Sequence, residues 1–283
     1  MKKVICIVGP TASGKTELSI KLAKHYQTEI INADSVQLYQ ELNIGSAKIT
    51  EREKQGIIHH LLDITSLDQN YTIFHFQTDA RKLIESISIP IFVGGSGLYL
   101  KSVLYDYLLE EQQQIINANN YEEIKNKLKK LDPDLQIDWE NERRVISAYK
   151  QAVNGSLRSL KQSKDRLLYD VCIIYLDLDR EQLKQRLIKR LDLMIDQGLI
   201  EETNKLVQSG YELNVIGYKQ IKKYLQQQIT LDQAKSEIIT ASMKFAKRQK
   251  TWFLNQMQVY QMPALSNNLY QDCLKLIDNF LGV

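Results

Sequence analysis

The chain has 283 residues, 37 basic against 34 acidic, with four prolines, twelve glycines and three cysteines. That length suits one sizeable domain or two small ones with a real core, and 43% apolar with 25% charged residues excludes global disorder or a collagen-like fibre. A net charge of +3 defines no partner, and Cys6, Cys172 and Cys273 are odd in number and lack CxxC spacing, which argues against a disulfide framework or zinc site and for a reducing interior.

No stretch approaches the roughly 18 uncharged apolar residues of a membrane helix. Met1-Lys2-Lys3 followed by Val4 to Val8 mimics a signal peptide, but the apolar run is short and leads straight into a glycine-bearing turn. The sequence therefore predicts a soluble, cytoplasmic protein with no membrane partner.

In chain order, the first element is a strand at Val4–Val8, unbroken in its apolar character, as expected of a strand buried on both faces of a parallel sheet. Gly9-Pro10-Thr11-Ala12-Ser13-Gly14-Lys15-Thr16 follows and fits G-x-x-x-x-G-K-[ST] completely. Its glycines let the backbone curl so that N–H groups converge at a positive helix end. Lys15 adds a point charge, and the Thr16 hydroxyl can ligate Mg2+ carried by the same phosphates. The motif specifies a polyphosphate; it does not specify a nucleotide or phosphoryl transfer. Leu18, Leu22, Ala23 and Tyr26 then share one face of a helix.

Ile30-Ile31 reads as a second strand, with Asp34-Ser35-Val36-Gln37 at its carboxyl end, which is the ligand edge of an open parallel sheet. A carboxylate there either takes part in the chemistry, as a water-mediated metal ligand or a general base, or caps a helix. Gln37 and Tyr39 could read a ring edge or belong to a solvated turn. His59-His60 has no ligand-spaced carboxylate or cysteine and reads as a structural pair near Asp63. A helix with Phe76, Ala80, Leu83 and Ile87 on one face leads to a third strand, Ile91-Phe92-Val93, which ends in Gly94-Gly95-Ser96-Gly97. Five of the twelve glycines thus sit in two strand-end turns, where close approach to a ligand is possible and Ser96 could donate to a phosphate oxygen.

From about residue 111 to 165 no strand run appears, and the polar, mixed-charge pattern reads as a helical insertion. Val171 to Leu176 is the fourth strand, and after Asp179 the pattern is mostly helical. A helix over Arg180–Leu199 buries Leu183, Leu187, Leu191 and Met194 and carries Arg186 and Arg190 on another stripe, either solvated or poised over the phosphate loop. Between Asn214 and Lys250, eight basic residues face two acidic ones, with Tyr218, Tyr224, Phe245 and Trp252 interleaved. Basic groups with rings suit a single-stranded RNA loop, although the seven-residue spacing of Phe245 and Trp252 also fits a core stripe.

Together these stretches resemble the tRNA dimethylallyltransferase (tRNA isopentenyltransferase) family. The matching pieces are Gly9 to Thr16, Asp34 to Tyr39, Ile44 to Lys48, His59 to Asp63, Val93 to Tyr99, Arg190 to Met194, Val215 to Lys219 and Phe245 to Gln249, in the family's order. The resemblance implies transfer of a five-carbon prenyl group from dimethylallyl diphosphate to the N6 amine of the adenosine 3′-adjacent to the tRNA anticodon, releasing diphosphate. It implies that Asp34 is the general base and that Lys15, Thr16 with Mg2+, Ser96 and Arg190 bind the diphosphate in the cradle Gly9–Thr16. It places the tRNA anticodon loop against Asp34, Ser35, Val36, Gln37, Ser96, Arg143, Arg144, Gly217, Tyr218, Lys219, Lys247 and Arg248. The expected fold class is α/β, a P-loop NTPase-like parallel sheet flanked by helices. Residues 1–110 and 166–283 form this core, and an all-helical insertion at 111–165 grips tRNA in a monomer. Ser96 stands where threonine is usual in the family, and Ser147 and Met243 where arginine is expected. The alternatives are a P-loop nucleotide or small-molecule kinase binding ATP, a prenyltransferase of free adenine nucleotides, and a non-catalytic RNA-binding module.

Overall fold

The computed structural model describes residues 1–107, 109, 121–155, 157–159 and 164–283. In chain order its elements are β1 (Lys3–Val8), α1 (Lys15–His25), β2 (Ile30–Asn32), α2 (Glu51–Lys54), β3 (His59–His60), α3 (Ile73–Ser86), β4 (Ile91–Gly94) and α4 (Gly97–Leu104). There follow β5 (Tyr105–Asp106), α5 (Tyr121–Leu131), α6 (Glu142–Val153) and β6 (Lys164–Leu167). The remainder is β7 (Asp170–Asp177), α7 (Arg180–Asp196), α8 (Leu199–Gln208), α9 (Tyr218–Leu225), α10 (Leu231–Gln256), β8 (Tyr260–Pro263) and α11 (Leu269–Leu281).

These residues form two compact units, Met1–Leu104 with Leu168–Val283, and Tyr105–Leu167. The first is built on a six-stranded sheet in the order β3-β2-β4-β1-β7-β8, with every neighbouring pair parallel. The unbroken apolar runs explain why β1 and β7 lie at its centre. Ile5, Ile7, Ile174 and Leu176 bury one face against Leu18, Leu22 and Ala23 of α1 and Cys273 and Ile277 of α11. On the other face Tyr175 meets Phe253 of α10, with ring centroids 6.0 Å apart. Both faces are therefore covered, as parallel sheets require. The register pairs Val8 with Gly94 and with Tyr175, and Asn32 with Val93. The carboxyl ends of β1, β2, β4 and β7 consequently share one edge, where ligands bind in open α/β sheets.

The expected α/β class holds, and its four strands appear as β1, β2, β4 and β7. Two edge strands add to them. His59-His60 becomes β3, with the His59 Nδ1 at 2.9 Å from the Ile57 carbonyl oxygen and the His60 Nε2 at 2.5 Å from Glu29. The pair is structural, but its carboxylate partner is Glu29; Asp63 instead pairs with Lys48. Near the carboxyl terminus, β8 interrupts the helices and covers the open edge of β7. The helix expected over Arg180–Leu199 divides at Gly198, whose φ of +103° caps α8. Leu42, Leu191, Leu199, Leu206, Tyr218, Ile221 and Ile238 form a second core among these helices.

In the second unit, α5 and α6 pack through Ile124, Leu128, Val145, Ala148 and Ala152. A short antiparallel ribbon, β5 with β6, accompanies the expected helices. Residues 111–120, 156 and 160–163 of the expected insertion lie outside the described residues. Among the described residues no helix is long and apolar enough to cross a membrane.

Candidate active site

The loop between β1 and α1 closes over a cradle shaped by two glycines, one needed for space and the other for its backbone conformation. A Cβ on Gly9 would lie 2.8 Å from the Leu176 carbonyl oxygen, and Gly14 caps α1 at φ +93°. The Lys15 Nζ folds back to donate to the carbonyls of Gly9 at 3.1 Å and Pro10 at 2.7 Å. Burial and, secondarily, the Arg190 guanidinium push Lys15 down from an ordinary 10.5 to about 8, with Asp34 pulling the other way. The Ser13 hydroxyl is buried without a hydrogen-bond partner among the described residues. A buried hydroxyl of this kind at a helix amino terminus is a donor suited to an anion's oxygen.

A cavity of 510 Å3 opens over this loop. Arg186, Lys189 and Arg190 of α7 line it together with Ala12 to Glu17, Glu53 and Leu193. The Arg186 Nε donates to the Ala12 carbonyl at 2.6 Å, tying α7 to the loop. Arg190 is half-buried and makes no hydrogen bond or ion pair among the described residues. Burial lowers its pKa, opposed by Asp34 and Glu53, yet a guanidinium stays protonated. Two cations held close together without a bonded carboxylate constitute a site for a multivalent anion.

Across the edge, β2 and β4 end in a linked pair of turns. Asn32 is buried; its Oδ1 accepts from the Asp34 amide at 3.0 Å and its Nδ2 donates to the Asp34 and Leu61 carbonyls. The Ser35 amide donates to the Ser96 Oγ at 3.0 Å, and the Ser96 amide to the Ala33 carbonyl at 3.1 Å. Gly94 is required here, because a Cβ would sit 2.2 Å from the Ala33 backbone. No helix begins at Asp34, so it is not a helix cap. Its Oδ1 accepts from the Val36 amide at 2.9 Å, an Asx turn that fixes the half-buried carboxylate. The register sets Asp34, two residues beyond β2, on the same sheet edge as the phosphate loop, and its charge pulls the pKa of both Lys15 and Arg190 upward.

The other expected site residues divide into supports and exposed groups. The Gln37 Nε2 donates to the carbonyls of Ser46 and Ala47 at 3.1 and 3.2 Å, which holds the loop beside it. Glu202, which sequence reasoning missed and which no local signal marks, receives the Ile44 and Gly45 amides and the Tyr218 hydroxyl. Tyr218 is fully buried against Gly45 and Gly217 is also buried, so the expectation that they meet RNA directly is corrected to one of support: neither offers a surface to a base. Lys219 is exposed, as are Lys247 and Arg248 on α10, where the guanidinium lies 5.7 Å from the centre of the Phe245 ring. Three of the eight basic residues in this region are paired, Lys223 with Glu237, Lys235 with Asp192 and Lys250 with Asp177. Of the two rings seven residues apart, Phe245 is 36% exposed, whereas Trp252 packs on Gly97. In the second unit, Arg143 and Arg144 are exposed on α6, and the Arg158 Nη2 donates to the Ser147 hydroxyl at 3.3 Å. Met243 packs in the apolar cluster of Leu183, Leu187 and Ala246, with Ala12 beside it.

The phosphate cradle and facing acid lie within a chain whose residues 37–256 match the IPP transferase family model. The chain belongs to that family. It is 54% identical over 283 residues to a tRNA dimethylallyltransferase of Acholeplasma laidlawii, with both chains covered completely. It is 38% identical to the tRNA dimethylallyltransferase of Bacillus anthracis over 99% of this chain and 96% of that one. A tRNA isopentenylpyrophosphate transferase from Staphylococcus epidermidis superposes with a TM-score of 0.75 at 34% identity, covering 99% and 100% of the two chains. A eukaryotic dimethylallyltransferase acting on tRNA superposes at 0.89 with 27% identity over all of this chain and 80% of that one. The P-loop NTPase-like architecture of the family is thus the architecture of this chain.

Proposed function

We propose that the protein is a tRNA dimethylallyltransferase, which moves a dimethylallyl group from dimethylallyl diphosphate to the N6 amine of the adenosine 3′-adjacent to the anticodon. The observation that carries this reading is the sheet register, which sets Asp34 just beyond β2 on the same edge as the phosphate loop that holds Lys15, with Arg190 over that loop. One side of the cleft suits a departing polyanion, and the other suits a proton acceptor. In the reaction, the adenine nitrogen forms a bond to C1 of the prenyl group while the C1–O bond breaks, and the diphosphate keeps the electron pair. An exocyclic amine is a poor nucleophile because its lone pair is delocalised, so passing its proton to the Asp34 carboxylate makes the attack productive. Lys15, Arg190 and the backbone N–H groups of the loop between Thr11 and Thr16 neutralise charge as it grows on the leaving oxygens. The Ser96 hydroxyl, already anchored by the Ser35 amide, can turn its proton toward a phosphate oxygen.

The donor set fits Mg2+ only as a partner of the diphosphate. The Thr16 hydroxyl is exposed beside the cavity, the described residues contain no cluster of three His, Cys, Asp or Glu, and phosphate oxygens would complete the shell. Bound there, the ion would supply charge neutralisation for the leaving group. The purine must leave its stack to reach this edge. The exposed Lys219, Lys247 and Arg248, with Arg143 and Arg144 of the second unit, support contact with the tRNA anticodon loop. One chain supplies every group named, in keeping with action as a monomer, and a tRNA substrate with three buried free thiols favours a cytoplasmic setting.

The test is incubation with Mg2+, labelled dimethylallyl diphosphate, unmodified tRNA, AMP and, separately, ATP. Prenylated tRNA is the expected product. Prenylated AMP without prenylated tRNA, or release of ADP from ATP, would replace the reading with a free-nucleotide prenyltransferase or a kinase.

A further inference from the structure

Gln249 lies beside the basic pair on α10 but faces inward, and its chemistry is unlike that of a helix residue packed only for bulk. It is 7% exposed, and its Nε2 donates to the Gly95 carbonyl at 2.9 Å. The Oε1 of the same carboxamide is buried with no hydrogen-bond partner among the described residues. An apolar side chain of similar volume would fill the space without leaving a buried acceptor unsatisfied, so bulk alone does not account for an amide here.

The turn it grips is the one that carries Ser96. A Cβ on Gly95 would stand 2.2 Å from the Gln249 Nε2 and 3.5 Å from the Gly9 carbonyl oxygen, so the amide, the β4 turn and the phosphate loop meet at one point. One residue on, the Ser96 amide holds the Ala33 carbonyl and its Oγ receives the Ser35 amide. One turn further along α10, Trp252 lies over Gly97, where a Cβ would be 2.1 Å from the ring. The Gly95–Gly97 turn is therefore seated on α10 by one hydrogen bond and one ring. Among the described residues, Asp34 and Ser96 are tied to the helix that presents Lys247 and Arg248 through this turn.

We infer that Gln249 is a positioning residue for the transfer reaction: its carboxamide pins the Gly95 carbonyl and so fixes the Ser96 hydroxyl and the Asp34 carboxylate relative to the phosphate loop. This role rests on the prenyl-transfer reading above. It acts through the turn and touches neither substrate.

The experiment compares wild type, Q249L and Q249E in steady-state prenylation of tRNA, with thermal melting to verify folding at each pH. Leucine keeps the bulk and removes the donor. Misplacement of reacting groups on the scale of an ångström costs about 100-fold, so kcat should fall by one to two powers of ten while KM for tRNA stays near wild type. In Q249E a buried carboxyl with a raised pKa donates to Gly95 only while protonated. Its kcat relative to wild type should approach recovery at low pH and fall about tenfold per pH unit above that pKa. Should Q249L fail to fold, that pH profile carries the test. Wild-type kcat in Q249L, or a Q249E profile parallel to wild type, overturns the positioning role alone. Failure of wild type to prenylate tRNA overturns the reading beneath it and the positioning role together, so the two failures are told apart.

Discussion

Lys15 is poised against the stability of the free protein, and replacing it with methionine makes that measurable. Its ammonium sits in the phosphate loop at a pKa of about 8 in place of 10.5, chiefly through burial. At about 1.4 kcal/mol per unit this depression represents roughly 3 kcal/mol of destabilisation in the charged state. Loss of the bonds to the Gly9 and Pro10 carbonyls offsets part of the gain on removing the charge. We expect Lys15→Met to be more stable by about 1–2 kcal/mol near pH 7, a melting rise of a few degrees. The sign with pH is fixed. A lysine whose folded pKa is lowered destabilises the fold fully below that pKa, and the effect disappears as pH rises towards the unfolded value. The advantage of Lys15→Met should therefore be constant below pH 8, shrink as pH rises from about 8 towards 10.5, and end as a small disadvantage once only the lost hydrogen bonds count. Calorimetry across that range, without ligand, is the assay. Equal or lower stability of a folded Lys15→Met at pH 7, or an advantage that grows above pH 8, would refute the assignment. Added diphosphate should reverse the order, because it stabilises only the protein that binds it.

Three further outcomes follow from contacts at the sheet edge and on α10. Ser96→Ala removes the acceptor of the Ser35 amide and should lower kcat about tenfold, a cost near 1.4 kcal/mol, while Ser96→Thr, which keeps the hydroxyl, should stay near wild type in the same prenylation assay. Gly97→Ala drives a methyl into the Trp252 ring and should cost about 1–3 kcal/mol in urea unfolding; an unchanged midpoint would show that the ring is not seated there. Lys247→Ala and Arg248→Ala should each weaken tRNA binding and reduce the slope of log affinity against log salt by about 0.7, as expected when one phosphate contact to a single strand is lost.

The phosphate loop was legible because its whole chemistry is local. Strand, glycines, lysine and threonine are consecutive, and the adjoining helix supplies the positive end. Asp34 was legible as a group at the ligand edge, but sequence left it divided between helix cap and reacting group; only the absence of a following helix and the nearness of Lys15 and Arg190 separate the two. Arg190 could be placed on a stripe of α7, whereas its lack of a bonded partner among the described residues is a tertiary fact. Tyr218 was misread because a tyrosine at the head of a basic segment looks like a stacking ring, and nothing nearby in sequence shows that Glu202 and Gly45 enclose it. The strands β3 and β8 escaped notice because each is short and polar, and each pairs on one side only, with its ladder partner far off in sequence. Gln249 was visible within Phe245 to Gln249, yet its inward direction depends on where Gly95 lies.

The decisive measurement is single-turnover transfer by Asp34→Asn alongside equilibrium binding of inorganic diphosphate with Mg2+. Asparagine keeps the size and the acceptor for the Val36 amide but cannot take a proton. Diphosphate affinity should at least equal wild type, since a negative charge at the edge of the cradle is gone, while prenyl transfer should slow by about 100-fold or more. Wild-type transfer by Asp34→Asn would contradict the assignment of Asp34 as proton acceptor, and so would diphosphate binding that collapses along with the rate.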